Sequence, residues 1–423
     1  MHPARAALVI TGDELLRGFI QDAHSGFLAE QLRDQRIDLV DVHIVGDDFA
    51  RIEAALRRDS GQEPVDLVIV SGGLGPTHDD RTTEAVGRAT GRGLEVRADA
   101  LKVVAARVRA YGRRTDAELE LFAAGNRKQA TMPTGALWLD PLGTAPGYVL
   151  DGGADGVTYV VLPGPPSELR HAWSAARATA PIIELGARGG TRHERLLRVW
   201  GIAESAASRL LDATGHVDGD GCRVTICARD GELELSVRGT DAAAVDALVA
   251  QLEVGMPDEV FARDDERPIA QLVGAELTAR AWTLATAESC TGGLLGGDLT
   301  AGEGASTWYH GGFVTYSYEA KTELLGVETD LLERVGAVSE EVARAMARGA
   351  RARLGSDVAV AITGVAGPGG GTPEKPVGTV HLAVVSPAGE LHRQIRMPGD
   401  RATVRRRSCV VALHMVRELL AEG

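Results

Sequence analysis

The chain has 423 residues, of which 44% are hydrophobic and 25% are charged, and this length predicts two or three globular domains. The formal net charge of -14 argues against a general nucleic-acid-binding surface. The sequence has neither the run of roughly 18 apolar residues that a membrane helix needs nor a secretory signal pattern. We therefore expect a cytoplasmic protein that acts without a membrane or a nucleic acid as partner.

The first 170 residues have the pattern of an α/β domain with a mainly parallel sheet. Short apolar runs at 6–10, 66–70 and 158–162 have the composition of buried strands. A helical pattern separates the first of these runs from a further strand at 39–45. The arrangement predicts a strand-helix-strand unit.

Loops rich in glycine, proline or carboxylates follow three of these strands, at 12–14, 71–80 and 164–168. Because the carboxyl ends of parallel strands meet at one edge of a sheet, we expect the three loops to line one crevice. The glycines that would let a ligand approach the backbone of the middle loop are Gly72, Gly73 and Gly75.

Carboxylates stand in the same loops, and they have two interpretations. They can hold a hard divalent metal ion against a pyrophosphate, or they can cap the starts of helices. The candidate metal ligands are Asp13, Glu14, Asp79 and Asp80.

The remaining chain divides into three parts. Residues 171–255 alternate short strands with an amphipathic helix and predict a small α+β module. The polar stretch 256–268 suits a linker, and residues 269–423 predict a second α/β domain with strands at 283–286 and 357–363. The expected fold class is therefore α/β, with two α/β domains of mainly parallel sheets joined by a small α+β module.

Reactive side chains are concentrated at 285–321, which is the predicted reaction centre. Here Ser289 is a candidate nucleophile, and its base would be His310 or Lys321, the latter only if burial lowers the lysine pKa. Ser289 and Lys321 are too far apart for one helix, so their contact must be tertiary. Cys290 is a competing nucleophile, although lone cysteines are more often small buried hydrophobes.

Donors and further hydroxyls surround this serine in the sequence. We expect the N–H groups of Thr291, Gly292 and Gly293 to face outward at a helix start, where they would hold a phosphate or an oxyanion. Ser306 and Tyr316 could orient substrate, relay a proton or attack, and Thr363 and the glycines after it would supply donors. These residues also suit caps and turns.

One glycine-rich stretch and one basic stretch give weaker indications of function. The segment 367–375 lacks the spacing of a phosphate-binding Walker loop, which disfavours ATP hydrolysis. The arginine run 405–407 is typical of a solvated helix face, although one arginine could reach a substrate phosphate.

Across nearly its whole length the sequence resembles the competence/damage-inducible protein CinA family. The N-terminal motifs GDELLRG (12–18), SGGLGPTHDD (71–80) and PGPPSE (163–168) are similar to its molybdopterin-binding-like domain. The C-terminal motifs AESCTGG (287–293) and GGFVTYSYEAK (311–321), with TGVAGPGGGTPEKPVGT and GDR, resemble its nicotinamide mononucleotide amidohydrolase domain.

The resemblance implies that the carboxamide of nicotinamide mononucleotide is hydrolysed to the acid and ammonia, without a cofactor, in pyridine nucleotide salvage. It also implies a homodimer that acts on small-molecule nucleotides. The catalytic and substrate-binding residues that it implies in the C-terminal domain are Ser289, Ser306, Tyr316, Lys321, Thr363 and Arg401. Gly364 and Gly367, among the glycines after Thr363, are further substrate-binding candidates.

For the N-terminal domain the resemblance implies a metal-dependent ADP-ribose pyrophosphatase that uses Thr77 beside the four carboxylates. Two positions depart from the family pattern. His24 stands where an asparagine is usual, and Arg5 replaces a typical acidic residue. A non-catalytic protein that binds a pterin or a nucleotide and acts through partners is the alternative function.

Overall fold

The computed structural model describes residues 3–57, 64–110, 120–152, 156–217 and 221–422. The chain divides after Arg192 into two compact units, 1–192 and 193–423. Among the described residues, no helix has the length and apolar character needed to cross a bilayer.

Eight strands and eight helices occupy the described part of the first unit. The strands are β1 (Arg5–Thr11), β2 (Asp38–Val45), β3 (Leu67–Ser71), β4 (Leu94–Val96), β5 (Thr131–Pro133), β6 (Leu137–Trp138), β7 (Tyr148–Leu150) and β8 (Thr158–Leu162). The helices are α1 (Asp13–Leu16), α2 (His24–Asp34), α3 (Phe49–Arg57), α4 (Thr82–Ala89), α5 (Ala98–Ala110), α6 (Ala123–Gln129), α7 (Pro166–Ala176) and α8 (Ala180–Ala187).

The main sheet of this unit has the strand order β2-β1-β3-β8-β7-β6. Its first four strands are parallel, and β6 and β7 are antiparallel additions. The central strands are continuous apolar runs because helices cover both faces of the sheet. The predicted parallel sheet is confirmed, and the carboxyl ends of β1, β3 and β8 lie at one edge.

The boundary predicted at residue 170 is too early. Leu169, Trp173 and Ile182, from α7 and α8, are buried in the core beneath the first sheet, so the first unit continues through both helices. They look like module helices in the sequence because their glycine content falls, but their apolar faces belong to the parallel sheet.

The second unit begins with a small antiparallel sheet of order β10-β11-β9-β12. Its elements are β9 (His193–Trp200), α9 (Glu204–Ala213), β10 (Cys222–Arg229), β11 (Glu232–Gly239), α10 (Ala242–Gly255) and β12 (Val260–Arg263). The predicted linker 256–268 is therefore wrong in part, because β12 pairs with β9. That strand is short and its charged flanks conceal it in the sequence.

The rest of the second unit is built on a five-stranded sheet of order β14-β13-β15-β16-β17. Its strands are β13 (Leu284–Glu288), β14 (Tyr309–Val314), β15 (Val358–Gly364), β16 (Thr379–Ser386) and β17 (Gly389–Arg396). Its helices are α11 (Ile269–Ala279), α12 (Leu294–Leu299), α13 (Tyr318–Leu325), α14 (Thr329–Val335), α15 (Glu340–Leu354) and α16 (Arg401–Glu422).

Only half of this sheet is parallel. β13, β14 and β15 run in the same direction, whereas β16 and β17 are antiparallel. Helices α11, α12 and α16 cover one face, and α13, α14 and α15 cover the other. The carboxyl ends of the three parallel strands meet at one edge, and the residues that follow them form the candidate site.

Candidate functional site

A tight turn follows β13 and precedes α12. Glu288, the last residue of β13, is only 2% exposed, and its carboxylate accepts N–H groups of Gly293 (3.0 Å), Leu295 (3.1 Å) and Gly296 (2.8 Å). Gly292 and Gly293 have φ of 59° and 91°, a left-handed backbone that favours glycine. The buried carboxylate and the two glycines together fix the position of Ser289.

The predicted anion cradle is wrong for two of its three N–H groups. The N–H of Gly292 donates to the Ser289 carbonyl at 3.1 Å, and that of Gly293 donates to Glu288. Thr291 is fully buried, and its hydroxyl has no partner among the described residues. The N–H groups of Gly292 and Gly293 are therefore already hydrogen-bonded within the turn, and the Glu288 carboxylate lies where an anionic ligand was predicted.

Ser289 and Lys321 meet at the carboxyl edge of the sheet. The Nζ of Lys321, from α13, lies 3.1 Å from Ser289 Oγ, 2.7 Å from the Thr315 carbonyl and 3.3 Å from the Tyr316 carbonyl. The Ser289 N–H donates to the Ile362 carbonyl at 2.9 Å, which holds the serine against β15. The tertiary contact predicted from the sequence is present.

The surroundings of Lys321 favour its neutral form. The side chain is fully buried, and this desolvation lowers its pKa to about 8. The carbonyls of Thr315 and Tyr316 can only accept hydrogen bonds. The protonated amine donates to both carbonyls and to Ser289 Oγ. After it loses a proton, it can keep two hydrogens on the carbonyls and accept the Ser289 hydroxyl proton.

Cys290 is a core residue. Its side chain is 5% exposed and packs in the apolar cluster beneath α16. Burial raises the pKa of the thiol to about 11, so at neutral pH it is protonated and a weak nucleophile. The structure favours the buried-hydrophobe interpretation of Cys290.

Tyr316, Arg401 and Gly367 form the rim of the site. Arg401, the first residue of α16, donates to the Tyr316 hydroxyl at 3.2 Å and to the Gly367 carbonyl at 2.8 Å. Tyr316 is 63% exposed, and its own carbonyl accepts from Lys321. Three predicted residues from distant parts of the chain therefore lie beside the Ser289–Lys321 pair.

Thr363 and Gly364 end β15 next to Ser289. The buried Thr363 hydroxyl donates to the Ala337 carbonyl at 2.8 Å, so its hydrogen is already used. A Cβ on Gly364 would lie 2.8 Å from the Thr379 carbonyl oxygen, and one on Gly367 would lie 2.5 Å from Val377 Cγ1. These glycines are explained by close packing of the backbone.

Ser306 lies away from this site within one chain. It belongs to a 3-10 helix, Ala305–Thr307, that precedes β14, and the N–H of Leu284 donates to the Trp308 carbonyl at 2.7 Å at the amino end of β13. Ser289 follows the other end, five residues of strand or roughly 16 Å away. The prediction that Ser306 shares the site is wrong for a single chain.

His310 is also wrong as a base for Ser289. It is the second residue of β14 and is exposed, so it stands near the same distant end of the sheet. Nearness in sequence misled both predictions, because β13 and β14 are parallel and the connection through α12 returns the chain to the opposite edge of the sheet.

Arg405 belongs to the arginine run 405–407, for which the sequence favoured a solvated helix face, yet it contacts the turn that carries Ser289. It lies one turn after Arg401 on α16 and donates to the Thr291 carbonyl at 2.6 Å, and its Nε is buried without a partner among the described residues. Arg406, next to it, forms an ion pair with Asp298 at 2.9 Å. The spacing of Arg401 and Arg405 on one helix face was the available signal.

In the first unit, the loop after β3 is held by its own residues. A Cβ on Gly72 or Gly73 would meet Thr11 Oγ1 at 2.5 Å or Thr82 Oγ1 at 2.2 Å. Both glycines have positive φ, 102° and 66°. Their predicted ligand contacts are therefore not needed to explain them.

Asp80 caps the middle of this loop. Its Oδ2 accepts the N–H of Thr77 at 2.9 Å and the hydroxyl of Thr77 at 2.6 Å. A Cβ on Gly75 would lie 2.4 Å from the same oxygen. The capping interpretation holds for Asp80, and both Thr77 and Gly75 are involved in it.

The remaining carboxylates gather around a residue that the sequence did not indicate, Asp47. The N–H of Asp13 donates to Asp47 Oδ2 at 3.1 Å. Burial, together with the charges of Asp13, Glu14 and Asp79, raises the pKa of Asp47. Among the described residues, no three or more His, Cys, Asp or Glu side chains are arranged to hold a metal ion. Asp80 accepts hydrogen bonds from Thr77 and so caps the loop, and the metal site with four carboxylate ligands stays a prediction.

The two departures from the family pattern have local partners. His24, at the start of α2, has Nδ1 2.9 Å from the Ser71 hydroxyl, and burial lowers the pKa of this histidine. The backbone N–H of Arg5 donates to Asp66 at 2.9 Å. His24 therefore borders the crevice at the end of β3, whereas Arg5 stands at the opposite end of β1.

A cavity of about 410 Å³ opens beside the loop that follows β3, at Pro76. Asn126 and Gln129 supply polar groups to its wall, and Glu168, whose pKa is raised by burial, closes one side. This volume falls within the usual range for small-molecule sites.

The chain thus combines an α/β unit with a ligand-type crevice and a unit with a buried serine–lysine pair. A family profile described as "CinA C-terminal domain" matches residues 266–420, and one described as "Probable molybdopterin binding domain" matches residues 7–179. A CinA-like protein of Mycolicibacterium vanbaalenii is 46% identical over 427 residues and covers 99% of both chains.

A CinA-like protein of Mycobacterium tuberculosis is 44% identical over 427 residues, with 99% of this chain and 98% of that protein covered. The crystal structure of competence/damage inducible protein CihA from Agrobacterium tumefaciens is 44% identical, with a TM-score of 0.35, and the match covers 36% of this chain and 93% of that one. The chain belongs to the CinA family, which confirms the resemblance seen in the sequence.

Proposed function

We propose that the C-terminal domain hydrolyses the carboxamide of nicotinamide mononucleotide to nicotinate mononucleotide and ammonia, as a step of pyridine nucleotide salvage. The observation that carries the proposal is the buried Lys321, whose Nζ lies 3.1 Å from Ser289 Oγ and also contacts two carbonyls that can only accept hydrogen bonds. A lysine with a lowered pKa next to a serine is the arrangement of an activated nucleophile.

The reaction proceeds in two halves. Neutral Lys321 takes the Ser289 proton as Oγ attacks the carboxamide carbon, and the resulting ammonium returns a proton to the nitrogen as the C–N bond breaks and ammonia leaves. Water then attacks the acyl-serine, Lys321 again accepts the proton, and the proton returns to Ser289 as the acid is released. No cofactor enters this scheme.

The rim residues suit the nucleotide part of the substrate. Arg401 presents a guanidinium at the exposed start of α16, next to the Tyr316 hydroxyl, and guanidinium groups pair well with phosphates. Arg405 has a positioning role, because it donates to the Thr291 carbonyl and thereby holds the turn that carries Ser289.

Ammonia release from nicotinamide mononucleotide by the full chain tests the proposal. Ser289→Ala and Lys321→Met should slow turnover at least a hundredfold, whereas Cys290→Ala and the distant Ser306→Ala should retain it. Undiminished turnover in Ser289→Ala would refute the proposal, and loss in Cys290→Ala alone would assign the chemistry to the thiol.

A metal-dependent ADP-ribose pyrophosphatase in the first unit is the second candidate. The observation that favours it is the contact of Asp47 with the Asp13 N–H at 3.1 Å, in a group where burial and the charges of Asp13, Glu14 and Asp79 raise the pKa of Asp47. Magnesium commonly binds through one or two carboxylates together with substrate phosphates, and it would neutralise pyrophosphate charge there. Asp13 and Asp47 would hold the ion.

Product analysis with ADP-ribose and Mg²⁺ or Mn²⁺ tests this second activity. Asp47→Asn should abolish phosphate-containing products, with the capping variant Asp80→Asn as the matched control for a carboxylate lost from the loops. Thermal stabilisation by nucleotide without any product in the wild type would instead support the non-catalytic binding protein, with the cavity beside Glu168 as its site.

A further inference from the structure

The small antiparallel sheet of the second unit packs against α16 through a buried polar network. Arg198 of β9 donates to Glu232 Oε2 of β11 at 2.6 Å, and Glu232 Oε1 lies 2.8 Å from Nε2 of His414 on α16. Arg198 also donates to the carbonyl of Arg267, in the segment that leads from β12 to α11. Arg198 and Glu232 are nearly fully buried, and His414 is fully buried. The network therefore joins the small sheet, the connecting segment and α16.

Aromatic side chains of the same sheet enclose His414. The Trp200 ring of β9 stacks on the imidazole, with the ring centroids 4.1 Å apart and an angle of 5° between the planes. The Phe261 ring of β12 meets the imidazole edge-on, with the centroids 4.8 Å apart. Together with Glu232 of β11, three strands of the small sheet contact this one side chain of α16.

The hydrogen bond between His414 and Glu232 has a defined direction. Burial alone would raise the pKa of Glu232, but the hydrogen bond from His414 and the charge of Arg198 hold it below its ordinary value. The ionised carboxylate can only accept, so Nε2 of His414 carries the hydrogen. Burial lowers the pKa of His414, and its Nδ1 is buried without a partner among the described residues. A neutral imidazole that donates through Nε2 fits both observations.

The polar character of this contact indicates a role in positioning. Apolar side chains of similar volume would often stabilise a buried contact at least as well as an ionic network does. Hydrogen bonds of 2.6 Å and 2.8 Å are satisfied only over a narrow range of distances and angles, whereas apolar surfaces can slide over each other. The network therefore fixes where α16 lies on the small sheet.

α16 is one continuous helix that runs from the candidate site to this network. Arg405, near its start, donates to the Thr291 carbonyl at 2.6 Å and so holds the turn that carries Ser289. His414 follows Arg405 by about two and a half helical turns, which is about 13.5 Å along the axis and about 180° around it. The small sheet and the turn of Ser289 therefore contact opposite sides of α16.

We propose that Glu232 and His414 are positioning residues for the C-terminal site, because their contact holds α16 against the turn that Arg405 binds. The inference rests on the amidase activity proposed above, and the two residues act through Arg405 instead of touching the substrate. Displacement of a reacting group by about 1 Å can cost about 10²-fold in rate. Loss of the contact should therefore lower kcat more than it raises KM.

Amidase kinetics of the full chain test the role of Glu232. Glu232→Gln keeps the shape of the side chain but removes its charge, and it should lower kcat about tenfold. Glu194→Gln is the matched control and should leave kcat unchanged. Glu194 is a half-buried residue of β9 that accepts the Ser236 hydroxyl at 2.6 Å, and it lies roughly 20 Å along the strand from Trp200.

Two further comparisons separate positioning from a general loss of stability. In an Arg405→Met background, Glu232→Gln should cause less than about a twofold further loss of kcat, because both changes release the same turn. His414→Leu should lower kcat about tenfold, whereas His414→Gln should restore most of it, since an amide N–H can replace the Nε2–H group. Independent, multiplicative losses from Glu232→Gln and Arg405→Met would overturn the proposal.

Amide hydrogen exchange provides a measurement that does not depend on the amidase. In Glu232→Gln the N–H groups that bind Glu288, those of Gly293, Leu295 and Gly296, should exchange at least about fivefold faster than in the wild type. Glu194→Gln should leave their exchange unchanged. A wild type that releases no ammonia would refute the proposed function alone. Unchanged exchange of the turn in both Glu232→Gln and His414→Leu would overturn the positioning role, whatever the amidase assay shows.

Discussion

Replacing Lys321 with methionine separates the chemical role of this side chain from its cost to stability. The side chain is fully buried, and its pKa falls from 10.5 to about 8. A shift of one unit corresponds to about 1.4 kcal/mol, so burying the ammonium at pH 7 costs about 3 kcal/mol.

The sign of the pH dependence follows from this shift. At pH 7 the lysine is mainly protonated in both the folded and the unfolded chain, so the cost is nearly complete. As pH rises through about 8, the folded state loses the proton before the unfolded state does. The free energy of unfolding of the wild type should therefore rise relative to Lys321→Met by about 3 kcal/mol between pH 7 and 10.5.

Urea denaturation of both proteins across this pH range measures the difference. Turnover gives a second readout, because about a tenth of Lys321 is neutral at pH 7, roughly 300 times the fraction of an unperturbed lysine. The acidic limb of kcat/KM should lie near pH 8, and Lys321→Met should lose about 10²–10⁴-fold in rate. A stability difference independent of pH would refute the burial argument.

Further predictions concern the residues that support the site. Glu288→Gln should lower the free energy of unfolding by about 1–3 kcal/mol, because one amide oxygen cannot replace two carboxylate oxygens. Chemical denaturation measures this change, and an unchanged free energy of unfolding would show that the reasoning is wrong. Arg405→Met should lower kcat more than it raises KM, with partial rescue in Arg405→Lys, whereas Arg406→Met should have little effect on kinetics. Gly73→Ala should destabilise the first unit by more than 1 kcal/mol in calorimetry, because its Cβ would meet Thr82 at 2.2 Å.

Local patterns predicted much of the second α/β domain. Ser339 before Glu340 and Glu341 predicts a helix N-cap, and its hydroxyl accepts the N–H of Val342 at the start of α15. Gly355 predicts the end of this helix, and it is the left-handed C-cap of α15. The apolar pattern after Arg401 predicts a final helix, and α16 begins at Arg401. Caps and apolar faces are encoded within a few residues, so the sequence shows them directly.

Strand direction and side-chain position depended on contacts between distant residues. The antiparallel course of β16 and β17 left no local signal, and β17 is a polar edge strand. Ser306 was placed with Ser289 because they are close in sequence, although α12 lies between them and returns the chain to the other edge of the sheet. Lys321 was placed correctly because its chemistry required a partner, and a fully buried lysine needs acceptors for its hydrogens.

The carboxylates show the limit of reasoning from residue type. Glu288, Asp80 and Asp13 all stand beside glycine turns, but the structure uses Glu288 and Asp80 to satisfy backbone N–H groups. A capping carboxylate can be told from a metal-binding one only by the hydrogen-bond partners of its oxygen atoms. Asp47 follows the end of β2, where no sequence motif indicated that it belongs to the acidic group.

The most direct test of the proposed chemistry is ammonia release from nicotinamide mononucleotide by the full-length protein at pH 9, compared with Ser289→Ala under the same conditions. The account predicts one ammonia for each nicotinate mononucleotide formed by the wild type, and at least a hundredfold slower release by the variant. Equal rates for the two proteins would contradict it.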